Sequence, residues 1–219
     1  MTFEDVDALG AAIGRVAAAF GGMTARADET GCGRCFTEAE VELLRSPGIP
    51  LPVDLVRQVA QKEPGHWGDQ PAVIRRELPR LVAYLAEGAN EPELIARGVA
   101  AAGWSRWPGE QADSISGFLD AWWTHTLRET SPPTPVPEVF ASCVIASSTA
   151  TPWLARWELE MGQIGRRHLD ECVEWWREDL ESDTPPFTWW WGTQAEEQAA
   201  WKELKAWLAG MSRSSTMPE

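Results

Sequence analysis

The sequence predicts an all-α protein, built as stacked helix pairs or a helical bundle, with a solenoid-like arrangement as one form of it. Apolar residues recur every three or four positions along most of the 219 residues, and the alternation typical of β-strands is missing. Prolines and Thr-x-x-Glu segments interrupt this pattern where helices begin. Since 44% of the residues are hydrophobic, the chain is able to bury a core. We expect about nine helices and no sheet.

The first half of the chain divides into short helices. The first helix carries an apolar stripe that Gly21-Gly22 ends, and the stripe consists of Phe3, Val6, Leu9, Ile13, Val16 and Phe20. Thr37 and Glu40 form a capping-box pattern at the start of a second helix, which Pro47 ends. Pro79 should kink or divide the helix that begins at Pro71. Further prolines stand at predicted helix starts: Pro52, Pro92 and Pro108.

The second half begins after a linker at 131–137, which contains four prolines. We predict a helix near 139–145, a long helix over 152–180, and a last helix capped by Thr193 and Glu196. The stripe of the long helix consists of Leu154, Trp157, Met161, Ile164, His168, Cys172, Trp176 and Leu180. Residues 1–211 are predicted to form a single helical domain and residues 212–219 a disordered tail.

A weak internal repeat is present. The segment from Trp104 to Trp123 resembles the segment from Trp153 to Trp176, at an offset of about 50 residues, which is near the period of two-helix solenoid repeats. Tryptophan-rich amphipathic helices also match each other by chance. A helical repeat and a coincidence are both consistent with the sequence.

The charge balance limits the possible partners. The chain has 33 acidic and 19 basic residues, a net charge of −14, with acidic residues dense between Glu158 and Glu203. Such a surface repels phosphate, so we expect no nucleic-acid partner and no membrane partner. The acidic face either keeps the protein in solution or docks a basic protein. No apolar run reaches a membrane span and the N-terminus lacks a basic region, so a cytoplasmic location is predicted.

Cys32 and Cys35 form a CxxC segment between glycines, which is typical of half a zinc site. The other half must come from Cys143, Cys172, His66, His125 or His168. His168 and Cys172 are favoured because residues i and i+4 share one helix face. Together with the CxxC they would bind one structural zinc ion and join the front of the chain to its back. The alternative is a core histidine beside an ordinary buried thiol.

Tryptophan is unusually frequent, with 14 residues against a single tyrosine. A tryptophan-rich core or a ligand-binding groove would explain this. Three consecutive tryptophans cannot share one helix face, so at least one of Trp189, Trp190 and Trp191 should be exposed, and the three are the best candidate for an aromatic patch that binds a partner. The alternative is that they cap the end of a bundle. We expect four others to be mostly buried: Trp122, Trp157, Trp176 and Trp207.

The sequence indicates the function less directly than it indicates the fold. The sequence lacks GxSxG, Walker and GxGxxG motifs, which favours a non-enzymatic role without excluding an enzyme. The first hypothesis is a cytoplasmic helical module that binds a protein partner. A small-molecule-binding protein or enzyme with a tryptophan-lined pocket is the alternative. A third hypothesis is a metal-dependent sensor that releases its thiolates.

Several motifs follow one another along the chain: Phe20 ahead of the Gly31-Cys32-x-x-Cys35 segment, Trp67-Gly68-Asp69, Leu78-Pro79-Arg80, Trp104-x-x-Trp107 with Glu110, and His168-Leu169. Together they resemble an uncharacterised family of bacterial helical proteins with no assigned activity. The similarity covers roughly residues 20–170, and the chain departs from it at 23–30, where the family has a tyrosine and a proline. The resemblance implies a helical fold and gives weight to His168.

Overall fold

The computed structural model describes residues 3–214, and the side chains of residues 8–211. This part of the chain is helical, without a β-strand, and contains eleven α-helices, which confirms the all-α prediction. The helices are α1 (Phe3–Phe20), α2 (Glu38–Arg45), α3 (Val53–Ala60), α4 (Gln70–Ala86), α5 (Pro92–Ala101), α6 (Gly109–Arg128), α7 (Val136–Ser147), α8 (Thr151–Leu159), α9 (Gln163–Trp175), α10 (Arg177–Ser182) and α11 (Gln194–Ser214). Short 3₁₀ turns occupy Pro64–His66 and Trp104–Arg106.

Side-chain caps start several helices where the sequence predicts them. Thr37 and Glu40 form the capping box of α2, with reciprocal bonds of 3.3 and 2.7 Å between each backbone N–H and the other's side chain. Thr193 and Glu196 repeat this arrangement at α11. The carboxylate of Asp69 accepts the backbone N–H of Ala72 at 3.0 Å and so caps α4. These contacts satisfy N–H groups that a helix start leaves without partners.

Two predicted helix boundaries differ from the structure. Pro79 does not divide α4, which is one element from Gln70 to Ala86. The long helix predicted over 152–180 is instead three helices, α8, α9 and α10. The break after α8 is a tight turn in which the N–H of Gly162 donates to the carbonyl of Glu160 at 2.8 Å. The start of α9 then packs against this turn so closely that a Cβ on Gly165 would lie 2.2 Å from the Glu160 carbonyl oxygen.

The helices pack around two close pairs. α1 packs along α6 and also contacts α4, while α5 packs along α7. The rings of Phe20 and Trp107, at the end of α1 and just before α6, are 5.8 Å apart, so α1 and α6 run antiparallel. α9 covers α6 and α7. Buried apolar residues on both sides of the 131–137 segment belong to one hydrophobic cluster.

The centre of the back half is an aromatic cluster around Trp157, which is fully buried. Its ring centroid lies 5.2 Å from Trp123, 6.0 Å from Phe140, 6.5 Å from Trp176 and 5.5 Å from Trp207. The predicted burial is confirmed for Trp122, Trp157 and Trp176, whereas Trp207 is only partly buried. Most of the tryptophan excess therefore serves packing.

The helix boundaries also bear on two further predictions, the internal repeat and the disordered tail. The first tryptophan segment of the proposed repeat begins on a 3₁₀ turn (Trp104–Arg106) and the second on α8, so a solenoid stays a prediction. α11 extends to Ser214, into the predicted tail, and residues 215–219 lie outside the described part, as do the side chains of Phe3 and Val6. None of the described helices combines the length and the apolar character that a membrane span needs.

Candidate metal centre

The CxxC segment lies in the loop between α1 and α2 and forms a compact turn. The backbone N–H groups of Cys35 and Phe36 both donate to the carbonyl of Cys32, at 2.9 and 3.0 Å. The side chain of Gln58, on α3, donates to the carbonyl of Cys35 at 2.7 Å. These contacts fix the backbone on which both thiols are mounted.

Glu29 holds this loop against the segment that precedes α4. Its carboxylate accepts the backbone N–H groups of Thr30 and Gly31 at 3.1 and 3.0 Å, and those of Gly68 and Asp69 at 2.9 and 2.8 Å. The side chain is almost completely buried. Burial alone would raise its pKa, but the four backbone donors outweigh burial and hold the pKa of Glu29 below its usual range. A charged side chain thus joins two loops that are about forty residues apart in sequence.

Aromatic packing brings the same two loops into contact. The ring centroids of Phe36 and Trp67 are 4.4 Å apart, and both side chains are buried. Gly31 has a φ of 59° and lies against the Trp67 ring, where a Cβ would be 2.7 Å from a ring carbon. Glycine is required here both by the left-handed backbone and by the close approach.

These contacts place His66 beside the two cysteines. His66 ends the 3₁₀ turn Pro64–His66, directly before Trp67. One potential ligand atom from each of Cys32, Cys35 and His66 lies within 4.8 Å of the other two, and all three residues are half-buried. The buried Nδ1 of His66 has no hydrogen-bond partner in the described part of the chain. Two thiols and an imidazole nitrogen are ligands that zinc prefers, and the unpartnered nitrogen fits such a site.

The local environment makes Cys32 the more acidic thiol. Hydrogen bonding from the backbone N–H groups of Arg34 and Cys35, with further contributions from the side chains of His66 and Cys35, lowers the pKa of Cys32 to about 7. Burial, and then the neighbouring Cys32, raise the pKa of Cys35. A thiol with a pKa near neutrality supplies the thiolate that metal binding requires.

The structure does not bring His168 and Cys172 to the CxxC turn, which corrects the predicted ligand set. They do lie one turn apart on α9, and both are buried, but on the back half of the chain. The Nε2 atom of His168 is 2.8 Å from the carbonyl oxygen of Glu129, so this histidine is bound to the end of α6. Burial raises the pKa of Cys172 well above its usual range, which keeps this thiol protonated.

The tryptophan segment 189–191 exposes two of its three side chains, as expected, and its role in binding a partner stays a prediction. Trp189 and Trp191 are exposed by 36% and 39%. Trp190 between them is half-buried, with its ring 5.8 Å from Phe187 and its indole N–H donating to the carbonyl of Thr193. The guanidinium of Arg97 lies 5.2 Å from the centroid of the Trp189 ring.

Sequence reasoning missed the role of Glu29 and did not select His66. His66 was one of five candidates for the second half of the site, and a rule for two ligands on one helix favoured the wrong region of the chain. The only local signal for His66 was its place directly before Trp67-Gly68-Asp69. A single glutamate before a CxxC carries no signal at all, since its four partners are backbone groups.

Comparison of the chain with protein-family models, with curated proteins and with solved structures finds no match. The resemblance to a bacterial family therefore stays a prediction, and the function has to be argued from the site.

Proposed function

We propose that this protein binds one zinc ion through Cys32, Cys35 and His66. The observation that carries the proposal is the convergence of two thiols and an imidazole within 4.8 Å. The low pKa of Cys32 supports it, because a thiolate is the form of cysteine that a cation binds. A three-residue site leaves a fourth position of a tetrahedral ion for water or another ligand.

The ion would act mainly on stability. It would join the loop after α1 to the turn before α4, which Glu29 and the Phe36–Trp67 contact already hold together. A metal that binds only the folded chain contributes its binding energy to folding.

Elemental analysis of protein purified under reducing conditions tests the site. We expect about one zinc ion per chain, and a chelator should lower the melting temperature. His66→Ala should lose the metal, whereas His168→Ala is the matched control and should keep it. Zinc-free wild-type protein, or zinc that depends on His168 rather than His66, would overturn the proposal.

A double-mutant cycle adds a thermodynamic check. Cys32→Ser and His66→Ala should each destabilise the metal-bound protein, and the double variant should cost far less than the sum, because either change alone breaks the site. Strictly additive losses in stability would mean that the two residues do not bind the same metal ion.

We further propose that the helical fold works in the cytoplasm as a protein-interaction module. Exposed tryptophans support this role, since Trp175 is exposed by 59%, and Trp189 and Trp191 by more than a third each. Exposed tryptophans are enriched at the centres of protein interfaces. Photo-crosslinking from position 188 in native cells, followed by mass spectrometry, should capture a protein; a retained small molecule instead would favour the alternative of a tryptophan-lined ligand pocket.

A further inference from the structure

An open cavity of about 680 Å³ lies at the N-terminal ends of α5 and α7. Residues 88–93, residues 133–135 and Glu138 line it, together with Trp175 and Trp189 from the back half of the chain. A second cavity of about 410 Å³ shares Pro133, Pro135 and Trp175 with the first, and extends to Glu171. Because the two cavities share these residues, we call them together the Trp175 groove.

Two carboxylates inside the groove have no cation. Glu93 and Glu138 stand in the first turns of α5 and α7, and both are partly buried. In the described part of the chain, neither carboxylate has a hydrogen bond or an ion pair. Burial, and then the nearby Glu138, raise the pKa of Glu93 to about 7, and burial also raises the pKa of Glu138. Each would be stabilised as an anion by a positive charge placed between them.

A buried hydroxyl also lacks a partner in the groove. Thr134 lines the larger cavity and is only 3% exposed, and its Oγ1 has no hydrogen-bond partner among the described residues. Buried hydroxyls are almost always hydrogen-bonded, so Thr134 leaves one unsatisfied polar atom at the wall of the groove.

The aromatic walls add a preference for an organic cation. Trp175 presents an indole that is 59% exposed, and it borders both lobes of the groove. The Trp189 ring already has the guanidinium of Arg97 at 5.2 Å from its centroid, and Arg97 also pairs with Glu63 at 3.4 Å, so Trp175 is the indole that is open to a further cation. Indole faces bind alkylammonium and guanidinium groups in preference to strongly hydrated metal ions.

From this combination we infer that the Trp175 groove binds a lysine- or arginine-containing segment of a protein partner, with a cationic side chain between Glu93 and Glu138 and against Trp175. An extended basic peptide fits better than a compact ligand, because the groove has two lobes that share Pro133, Pro135 and Trp175. The net charge of −14 would attract such a segment over a distance. The inference rests on the proposed role in protein interaction, and does not depend on the zinc site.

Isothermal titration calorimetry with capped peptides tests this inference on the full chain. The probe is an acetylated, amidated pentapeptide with lysines at alternating positions; matched peptides carry acetyl-lysine or glutamate instead. We expect the lysine peptide alone to bind, with an affinity that falls as salt rises. Glu93→Gln with Glu138→Gln should weaken binding at least tenfold, and Trp175→Ala should weaken it about threefold.

Matched control variants separate the groove from the general acidic surface. Leu159 is an exposed apolar side chain that does not line the groove, and Glu181 is an exposed carboxylate outside it. Leu159→Ala and Glu181→Gln should therefore leave the affinity unchanged. Equal losses in groove and control variants would overturn the inference, as would wild-type protein that ignores the lysine peptide or binds the acetyl-lysine peptide equally well.

Competition with tetramethylammonium distinguishes a cationic side chain of a peptide from a small ammonium ligand. If tetramethylammonium binds as tightly as the peptide and competes with it, the site is one for a small ammonium ligand and the peptide assignment is overturned. Failure of this inference is also separable from failure of the interaction role. If photo-crosslinking captures a partner whose binding is insensitive to Glu93→Gln and Glu138→Gln, the interaction role is retained and the groove is rejected as the binding site.

Discussion

Glu29 remains charged although it is buried, because four backbone N–H groups donate to it. Glu29→Gln replaces one acceptor oxygen by an amide that faces N–H donors, so at least one donor loses its partner. We expect the free energy of unfolding at pH 7 to fall by about 3 kcal/mol, in line with the loss of hydrogen bonds to a buried charged group. Urea denaturation measures this, and Glu181→Gln, at an exposed position, should change it little.

The same residue predicts a pH dependence with a definite sign. The pKa of Glu29 is lower in the folded chain than its ordinary value of 4.5, so the ionised carboxylate stabilises the fold at neutral pH. That contribution is lost as the pH falls below about 4.5 and through the lower folded-state pKa. The difference in stability between wild type and Glu29→Gln should therefore shrink in acid. A difference that is constant from pH 7 to pH 3 would mean that the charge is not what matters.

At the scale of the helices, the turn between α8 and α9 depends on a glycine that the stripe pattern hides. A Cβ on Gly165 would lie 2.2 Å from the carbonyl oxygen of Glu160, whereas one on Gly14, in α1, would meet nothing within 4 Å. Gly165→Ala should destabilise the protein by about 1–3 kcal/mol through overpacking. Gly14→Ala should stabilise it by about 0.5–1 kcal/mol, since alanine is the better helix former. The same chemical change should thus shift the thermal midpoint in opposite directions.

Helix starts were predictable from sequence because their signals are local. The capping boxes at Thr37 and Thr193 each need only residues three positions apart, and both form as predicted. The break at 160–162 was not predictable, since the apolar stripe continues through it and the turn is set by packing of α9 against the carbonyl of Glu160. Periodicity identifies the buried face of a helix but does not report where the helix ends.

One part of the candidate metal site was predictable from the sequence and another part was not. Cys32 and Cys35 are three residues apart, so their pairing follows from one turn of chain. His66 reaches them because Glu29 and Phe36 hold Gly68 and Trp67, contacts that form only when distant segments have folded together. His168 does lie on the buried face of its helix, but its side chain contacts the carbonyl of Glu129 and not the CxxC turn. A core histidine and a metal ligand look the same in a single sequence.

For the whole molecule, the aromatic cluster around Trp157 packs several helices of the back half together. Trp157 contacts rings from α6, α7 and α11, and its indole N–H donates to the carbonyl of Gly165 at 3.1 Å. It therefore connects α8, to which it belongs, with α6, α7, α9 and α11. Removing it leaves a cavity that no neighbouring helix can close without breaking another ring contact.

Trp157→Ala should accordingly lower the free energy of unfolding by about 3–5 kcal/mol. Trp191→Ala removes the same atoms from a side chain that is 39% exposed, so its cost should be well under 1 kcal/mol. Chemical denaturation of both variants, followed by far-ultraviolet circular dichroism, measures the two losses on one scale. Because the cluster joins α6, α7, α8 and α11, the unfolding of Trp157→Ala should stay a single cooperative step at a lower denaturant concentration. Comparable losses in the free energy of unfolding at positions 157 and 191 would show that the exposed tryptophans contribute to the stability of the fold. The proposed interaction role depends on a distinction between a packing cluster and a binding surface, and that distinction would then be lost.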